Sequence, residues 1–181
     1  ASRWHPAGDC AVEVNELMQK AALVLKNHPV NAKRLADGKK QANSIWLWGQ
    51  GRKPQIVPLT QKYDFKGGMI SAVDLLKGLG VNAGLQTLTV EGATGYIDTN
   101  YEGKAKMALD ALRFMDFVFL HLEAPDEMGH EGNAAGKIQA IEFFDEKIVG
   151  PILTNIGSLG EYRILVLSDH PTPIDLKTHV G

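Results

Sequence analysis

The residues best suited to chemistry lie in the last third of the chain. Of the 6 histidines, those at 121, 130, 170 and 179 fall there, and three of them stand near carboxylates just beyond apolar stretches. The stretch Phe117 to Leu122 runs into Glu123-Ala124-Pro125-Asp126-Glu127-Met128-Gly129-His130, and Arg163 to Leu167 runs into Ser168-Asp169-His170. Asp126 and His130 are four apart, so they can share one cation if Glu127 to Gly129 curl into a helix or turn. His179 is the candidate third ligand. One carboxylate with two imidazoles leaves a position open for water or substrate, which a catalytic divalent site needs and a closed structural site lacks. Asp169 and His170 are adjacent and, on a loop, either point at one metal or bridge two.

Other chemistries find less support. His121, inside an apolar stretch, reads as a hydrogen-bonded core histidine. Trp46 and Trp48 alternate on one strand face and read as packing residues. Neither Gly67-Gly68 nor Gly49-Gln50-Gly51 fits a glycine-rich phosphate loop. There is no GxSxG elbow, and Cys10 has no adjacent base, so a hydrolase triad is not expected.

Composition narrows the classes further. The 181 residues carry 19 Lys plus Arg against 21 Asp plus Glu, a formal charge of -2, with 22% charged residues of mixed sign and no basic run. Nucleic acid and anionic membrane surfaces are therefore not expected partners. No apolar run approaches the roughly 18 residues that span a bilayer. A single cysteine makes no intrachain disulfide, so a reducing cytoplasm is the expected compartment. A hydrophobic fraction of 44% suffices for a buried core. The start, Ala1-Ser2-Arg3-Trp4-His5-Pro6, has neither an initiator Met nor the apolar core of a signal peptide, as expected either of an internal piece of a longer polypeptide or of a chain from which a Met before Ala has been removed.

The elements that must position these residues follow from periodicity. Val14, Leu17, Met18, Ala21, Val24 and Leu25 predict a helix from Val12 to Asn27, and a second runs from Asn31, its expected cap, to about Lys40. Ser44 to Trp48 reads as a strand, and residues 52 to 59 as a linker. Beyond it, strands at 66–70, 86–90, 117–122 and 163–167 alternate with helices at 71–78, 101–114 and 133–149. Strands that are apolar throughout and alternate with helices predict an α/β fold with a mainly parallel sheet. Ligands in such folds bind beyond the carboxyl ends of the strands, where the His and Asp residues stand.

The run Ala124 to Gly132, then Leu165-Val166-Leu167-Ser168-Asp169-His170-Pro171-Thr172-Pro173, then Lys177-Thr178-His179, resembles the archaeal-type cofactor-independent phosphoglycerate mutases of the alkaline phosphatase superfamily. Gly92-Ala93-Thr94-Gly95-Tyr96-Ile97-Asp98-Thr99-Asn100-Tyr101-Glu102-Gly103-Lys104 and His28-Pro29-Val30-Asn31 extend the match over most of the chain. The resemblance implies an alkaline phosphatase-like three-layer domain over residues 56–181. Residues 1–55 would be the remainder of an inserted α+β lid domain that binds substrate. It implies two divalent ions, manganese first with magnesium, zinc or cobalt as alternatives, and no 2,3-bisphosphoglycerate. Asp126, His130 and His179 match the ligands of one ion, and Asp169 and His170 match two ligands of the other. The remaining ligands, an aspartate and the serine nucleophile, have no counterpart in this chain. Lys62, in Gln61-Lys62-Tyr63, resembles the lysine that faces the substrate phosphate, and Arg34 is the candidate substrate-binding arginine of the lid. The implied reaction interconverts 3-phosphoglycerate and 2-phosphoglycerate through a phosphoserine. A homoserine kinase-like phosphotransferase of the same branch, or a catalytically incomplete metal-binding piece, are the alternatives.

Overall fold

The structure, a computed structural model, describes residues 6–47, 49 and 51–181. It divides into two compact units, Ala1–Lys53 and Pro54–Gly181.

In the first unit, α1 (Ala11–Lys26) and α2 (Pro29–Ala36) form where the periodicity predicts helices. The half-buried side of α1 carries Val14, Met18, Ala21 and Leu25, whereas Leu17 and Val24 are exposed. Asn31 is not the cap of α2. His28 takes that place, its ring accepting from the Val30 N–H, and Pro29 occupies the first turn, where a missing N–H costs nothing. Asn31 instead lies inside the helix and clamps the chain on both sides of it. Its Nδ2 donates to the carbonyls of Leu25 at 2.7 Å and Ala42 at 2.6 Å, and its Oδ1 accepts from the Ala42 N–H at 2.9 Å. It is the one buried residue among those described in this unit. Ser44 to Leu47 take no regular secondary structure, and Trp48, where the expected strand ends, lies outside the described residues.

The second unit is an α/β arrangement around a three-stranded parallel sheet of order β2-β1-β3. It contains, in chain order, α3 (Leu59–Tyr63), β1 (Gly67–Ile70), α4 (Asp74–Asn82), β2 (Gln86–Thr87), α5 (Tyr101–Ala111), β3 (Phe117–Leu120), α6 (Ala124–Glu131), α7 (Ala134–Phe144) and α8 (Gly150–Ile156). The central strand β1 is fully buried. Gly67 and Gly68 serve packing here: a Cβ on Gly67 would come within 2.5 Å of Leu85, and one on Gly68 within 2.6 Å of Leu88. Tyr101, Lys104, Ala105, Ala108 and Ala111 form the buried face of α5, and their mostly small side chains let the helix lie on β1 and β3.

Two departures from the sequence reading have physical causes. The expected helix 133–149 breaks into α7 and a π-helical turn over Asp145–Val149, and the helical run continues into α8, whose first turn accommodates Pro151. Residues 163–167 form no strand among the described residues, and Leu165 is 84% exposed. An apolar run specifies burial, but a strand also needs a neighbour to pair with.

Gly84 joins α4 to β2 at a φ of +84°, and a Cβ there would run into Thr60 Oγ1 and lie 2.9 Å from Pro58. Gly84→Ala combines left-handed strain with this crowding and is expected to lower stability by about 1–3 kcal/mol in a thermal melt. Gly78, inside α4 with open space around its Cβ position, is the control: Gly78→Ala should be neutral or stabilising.

Candidate metal centre

Because all three strands run parallel, the segments leaving their carboxyl ends lie along one edge of the sheet. The chain after β1 carries Ser71, the loop after β2 leads to the start of α5, and the chain after β3 carries His121, Glu123 and then α6. Pro125 in the first turn and Gly132, left-handed at the carboxyl end, bound α6. One turn of this helix brings Asp126 and His130 onto the same face, with Nε2 of His130 3.2 Å from Oδ2 of Asp126. The segment after Asp169 folds back on α6. Its loop is closed by the Val180 N–H donating to the Pro171 carbonyl at 3.2 Å, and this places His179 Nε2 3.3 Å from Asp126 Oδ1 and 3.0 Å from His130 Nε2.

Two nitrogens and a carboxylate thus converge with separations of 3.0 to 3.3 Å. Donors about 2.0–2.2 Å from a shared ion would sit about 3 Å or slightly more apart, so the face fits a divalent ion. The hydrogen bonds around it orient the imidazoles. Nδ1 of His130 lies 3.0 Å from the Lys177 carbonyl, which only accepts, so Nδ1–H donates there and Nε2 is the nitrogen turned toward Asp126 and His179. The buried Thr172 hydroxyl donates to Asp126 Oδ1, so at His170, 3.3 Å away, it accepts from Nδ1–H. Nε2 of His170 points at Asp169 Oδ2, 3.4 Å away. An imidazole nitrogen facing a carboxylate marks a second place where a cation or a proton is needed. The two groups adjoin: the rings of His170 and His179 are 3.9 Å apart at their centroids, and donor atoms of Asp126, His170 and His179 all lie within 4.8 Å of one another.

Electrostatics agrees with a cation-ready site. Burial alone would raise the Asp126 carboxyl, but the Thr172 hydrogen bond and the imidazoles of His130, His179 and His170 together hold it below the ordinary value. Asp126 therefore stays ionised, as a ligand must. Glu123 is pushed up, by burial first and then by the neighbouring carboxylates of Glu127 and Asp126. His121 is pulled down, mainly by burial, and its Nδ1 lies 3.4 Å from the buried Ser71 hydroxyl.

The structure brings Asp126, His130, Asp169, His170 and His179 together. Lys62 is exposed on α3 with its ammonium 5.0 Å from the Tyr63 ring centroid. Arg34 is exposed in the first unit, its Nε donating to the Lys40 carbonyl at 2.7 Å. Thr172 and the Lys177 carbonyl escape a reading of sequence alone. The one available signal is that Thr172 follows the Asp-His pair by two residues.

A donor set of this kind asks which proteins share it. The model of the metalloenzyme superfamily matches residues 15–181, nearly the whole chain. The chain belongs to the metalloenzyme superfamily. As a member of this family it has relatives that match along almost all of its length. The probable 2,3-bisphosphoglycerate-independent phosphoglycerate mutase of Geobacter sulfurreducens is 55% identical over 174 residues, covering 96% of this chain and 44% of the relative. The 2,3-bisphosphoglycerate-independent phosphoglycerate mutase of Methanosarcina barkeri is 53% identical over 175 residues, with coverage of 96% and 44%. Among solved structures, the PH0037 protein of Pyrococcus horikoshii superposes with a TM-score of 0.78 at 33% identity, covering 98% of this chain and 46% of that one. This metalloenzyme chain thus spans less than half the length of the relatives it matches. No helix among the described residues is long and apolar enough to cross a membrane.

Proposed function

We propose that this chain is the metal-binding portion of a cytoplasmic, 2,3-bisphosphoglycerate-independent phosphoglycerate mutase that interconverts 3-phosphoglycerate and 2-phosphoglycerate. The observation that carries the reading is the convergence of Asp126, His130 and His179 beside the Asp169 and His170 pair. The names of the relatives that share more than half of its residues support it. In this reading Asp126, His130 and His179 hold one divalent ion, manganese first, and Asp169 with His170 contribute to a second. Bound ions of this kind lower the pKa of a nucleophilic hydroxyl and neutralise charge on a transferring phosphoryl group.

The chain's own residues do the preparatory work. The Lys177 carbonyl and the Thr172 hydroxyl orient the imidazoles, and Thr172 also orients the Asp126 carboxylate. Lys62 binds the substrate phosphate, and residues 1–55, with Arg34, act as part of a lid that keeps water from the phosphoryl group. The serine that takes the phosphoryl group and the remaining aspartate ligand belong to a part of the mutase that this stretch does not match.

An enolase-coupled assay tests the reading, using the polypeptide of the relatives' full length that carries this sequence. Turnover of 3-phosphoglycerate is expected with manganese and without 2,3-bisphosphoglycerate, and chelation should abolish it. No turnover, with ATP-dependent phosphorylation of homoserine in its place, would replace the mutase by a kinase.

A further inference from the structure

The segment from Asp169 to Val180 contains no helix or strand, so its position must be held from outside. Its one buried residue is Thr172, and two helices grip the backbone there. Lys137, half-buried in the first turn of α7, donates from Nζ to the Thr172 carbonyl at 2.8 Å. On α6 the same carbonyl lies against bare backbone at the buried Gly129, where a Cβ would come within 2.6 Å of the Thr172 oxygen and 3.1 Å of Lys137 Nζ. Among the described residues Lys137 makes no salt bridge, so its charge-assisted hydrogen bond goes to this carbonyl. The grip reaches the metal centre through one side chain. Threonine is branched at Cβ and stiff about χ1, so its hydroxyl follows its backbone. The Thr172 hydroxyl donates to Asp126 Oδ1 and lies 3.3 Å from His170 Nδ1.

We propose that Lys137 is a positioning residue of the metal centre. Its ammonium pins the Thr172 carbonyl against Gly129, and the pinned residue holds the Asp126 carboxylate and the His170 ring in register. With Lys137 in place, one fixed peptide sets a donor from each of the two adjoining groups. Without it, the hydroxyl is free to move off Asp126, and the carboxylate loses the contact that orients it. Lys137 itself touches no donor atom of the centre; it acts through Thr172, 35 positions later in the chain. This inference rests on the metal-centre reading but not on phosphoglycerate as substrate.

The test is manganese titration calorimetry on the full 181-residue chain, with thermal melting in chelator alongside. Lys137→Met is expected to bind manganese about tenfold more weakly or worse, the range for groups that orient a metal ligand. Gly129→Ala, which displaces the same carbonyl from the α6 side, should show a loss of the same order, and it carries the test if Lys137→Met does not fold. Thr172→Val decides the route. In that background Lys137→Met should add less than about a threefold further loss, because the hydroxyl through which it acts is gone. Native affinity in a folded Lys137→Met or Gly129→Ala variant would overturn the proposal, as would a Lys137→Met chain that only melts lower in chelator. A full tenfold loss persisting in the Thr172→Val background would also overturn it. If the unaltered chain takes up no manganese, the metal-centre reading falls and this inference with it; if Asp126→Asn loses binding and Lys137→Met does not, this inference falls alone. Because no arm uses phosphoglycerate, the mutase assay stands or falls separately.

Discussion

Asp126→Asn and His179→Ala are each expected to weaken manganese binding by more than about 100-fold and to abolish turnover in the full-length polypeptide. Changing a group that merely orients a ligand costs roughly 10–100-fold in metal affinity or activity, so losing a donor should cost more. Asp126 is the larger effect of the two. Its carboxylate faces His130 and His179 and accepts the Thr172 hydroxyl, so the substitution removes the negative charge about which all the imidazoles are arranged. Neither substitution should unfold the protein. Asn keeps an oxygen for Thr172, and the His179 side chain is about half exposed, so little packing is lost. Isothermal titration with manganese reads the affinity, and circular dichroism checks the fold. Native-like affinity in either variant would remove that residue from the centre.

The second large effect is expected far from any chemistry. Asn31→Ala should cost about 1–3 kcal/mol, since it removes three hydrogen bonds made by a buried side chain. The effect should be local to the first unit. α1 has no fully buried residue, and the apolar Val12, Leu23 and Leu35 are exposed, so hydrophobic burial contributes little that could replace the clamp. Amide exchange monitored by mass spectrometry should show faster exchange throughout residues 11–42 in the variant and unchanged exchange in α5 and β3. Uniform protection in both regions would mean that Asn31 is not what holds this unit.

Much of this arrangement could be read from residue order because its causes are local. Asp126 and His130 are four apart on a helix bounded by Pro125 and Gly132, and both their spacing and the helix that uses it are written in eight residues. β1 and β3 are legible as apolar runs flanked by helical periodicity. The missed features depend on partners distant in sequence. Thr172 matters because of Asp126, 46 positions earlier, and nothing in the run Asp169-His170-Pro171-Thr172 announces that contact. Lys104 lies on the buried face of α5 with Tyr101, Ala105 and Ala108, a placement that depends on the helix lying on the sheet. Asn31 is a plausible cap by type, but Pro29 starts the helix two residues earlier. Residues 163–167 show the converse: their apolarity is plain, and pairing depends on a neighbour that composition does not name.

The closed loop between Pro171 and Val180 has a consequence for rates. Its ends are tied by a backbone hydrogen bond, and the imidazoles of His170 and His179 flank that tie. In the proposed centre the ordering entropy of bringing these two imidazoles together would therefore be spent when the chain folds rather than when an ion arrives. An ion that leaves must either slip between donors that stay in place or wait for the tie to open. Metal exchange should then follow the opening of this loop, so a bound ion would have a residence time governed by folding kinetics as much as by affinity.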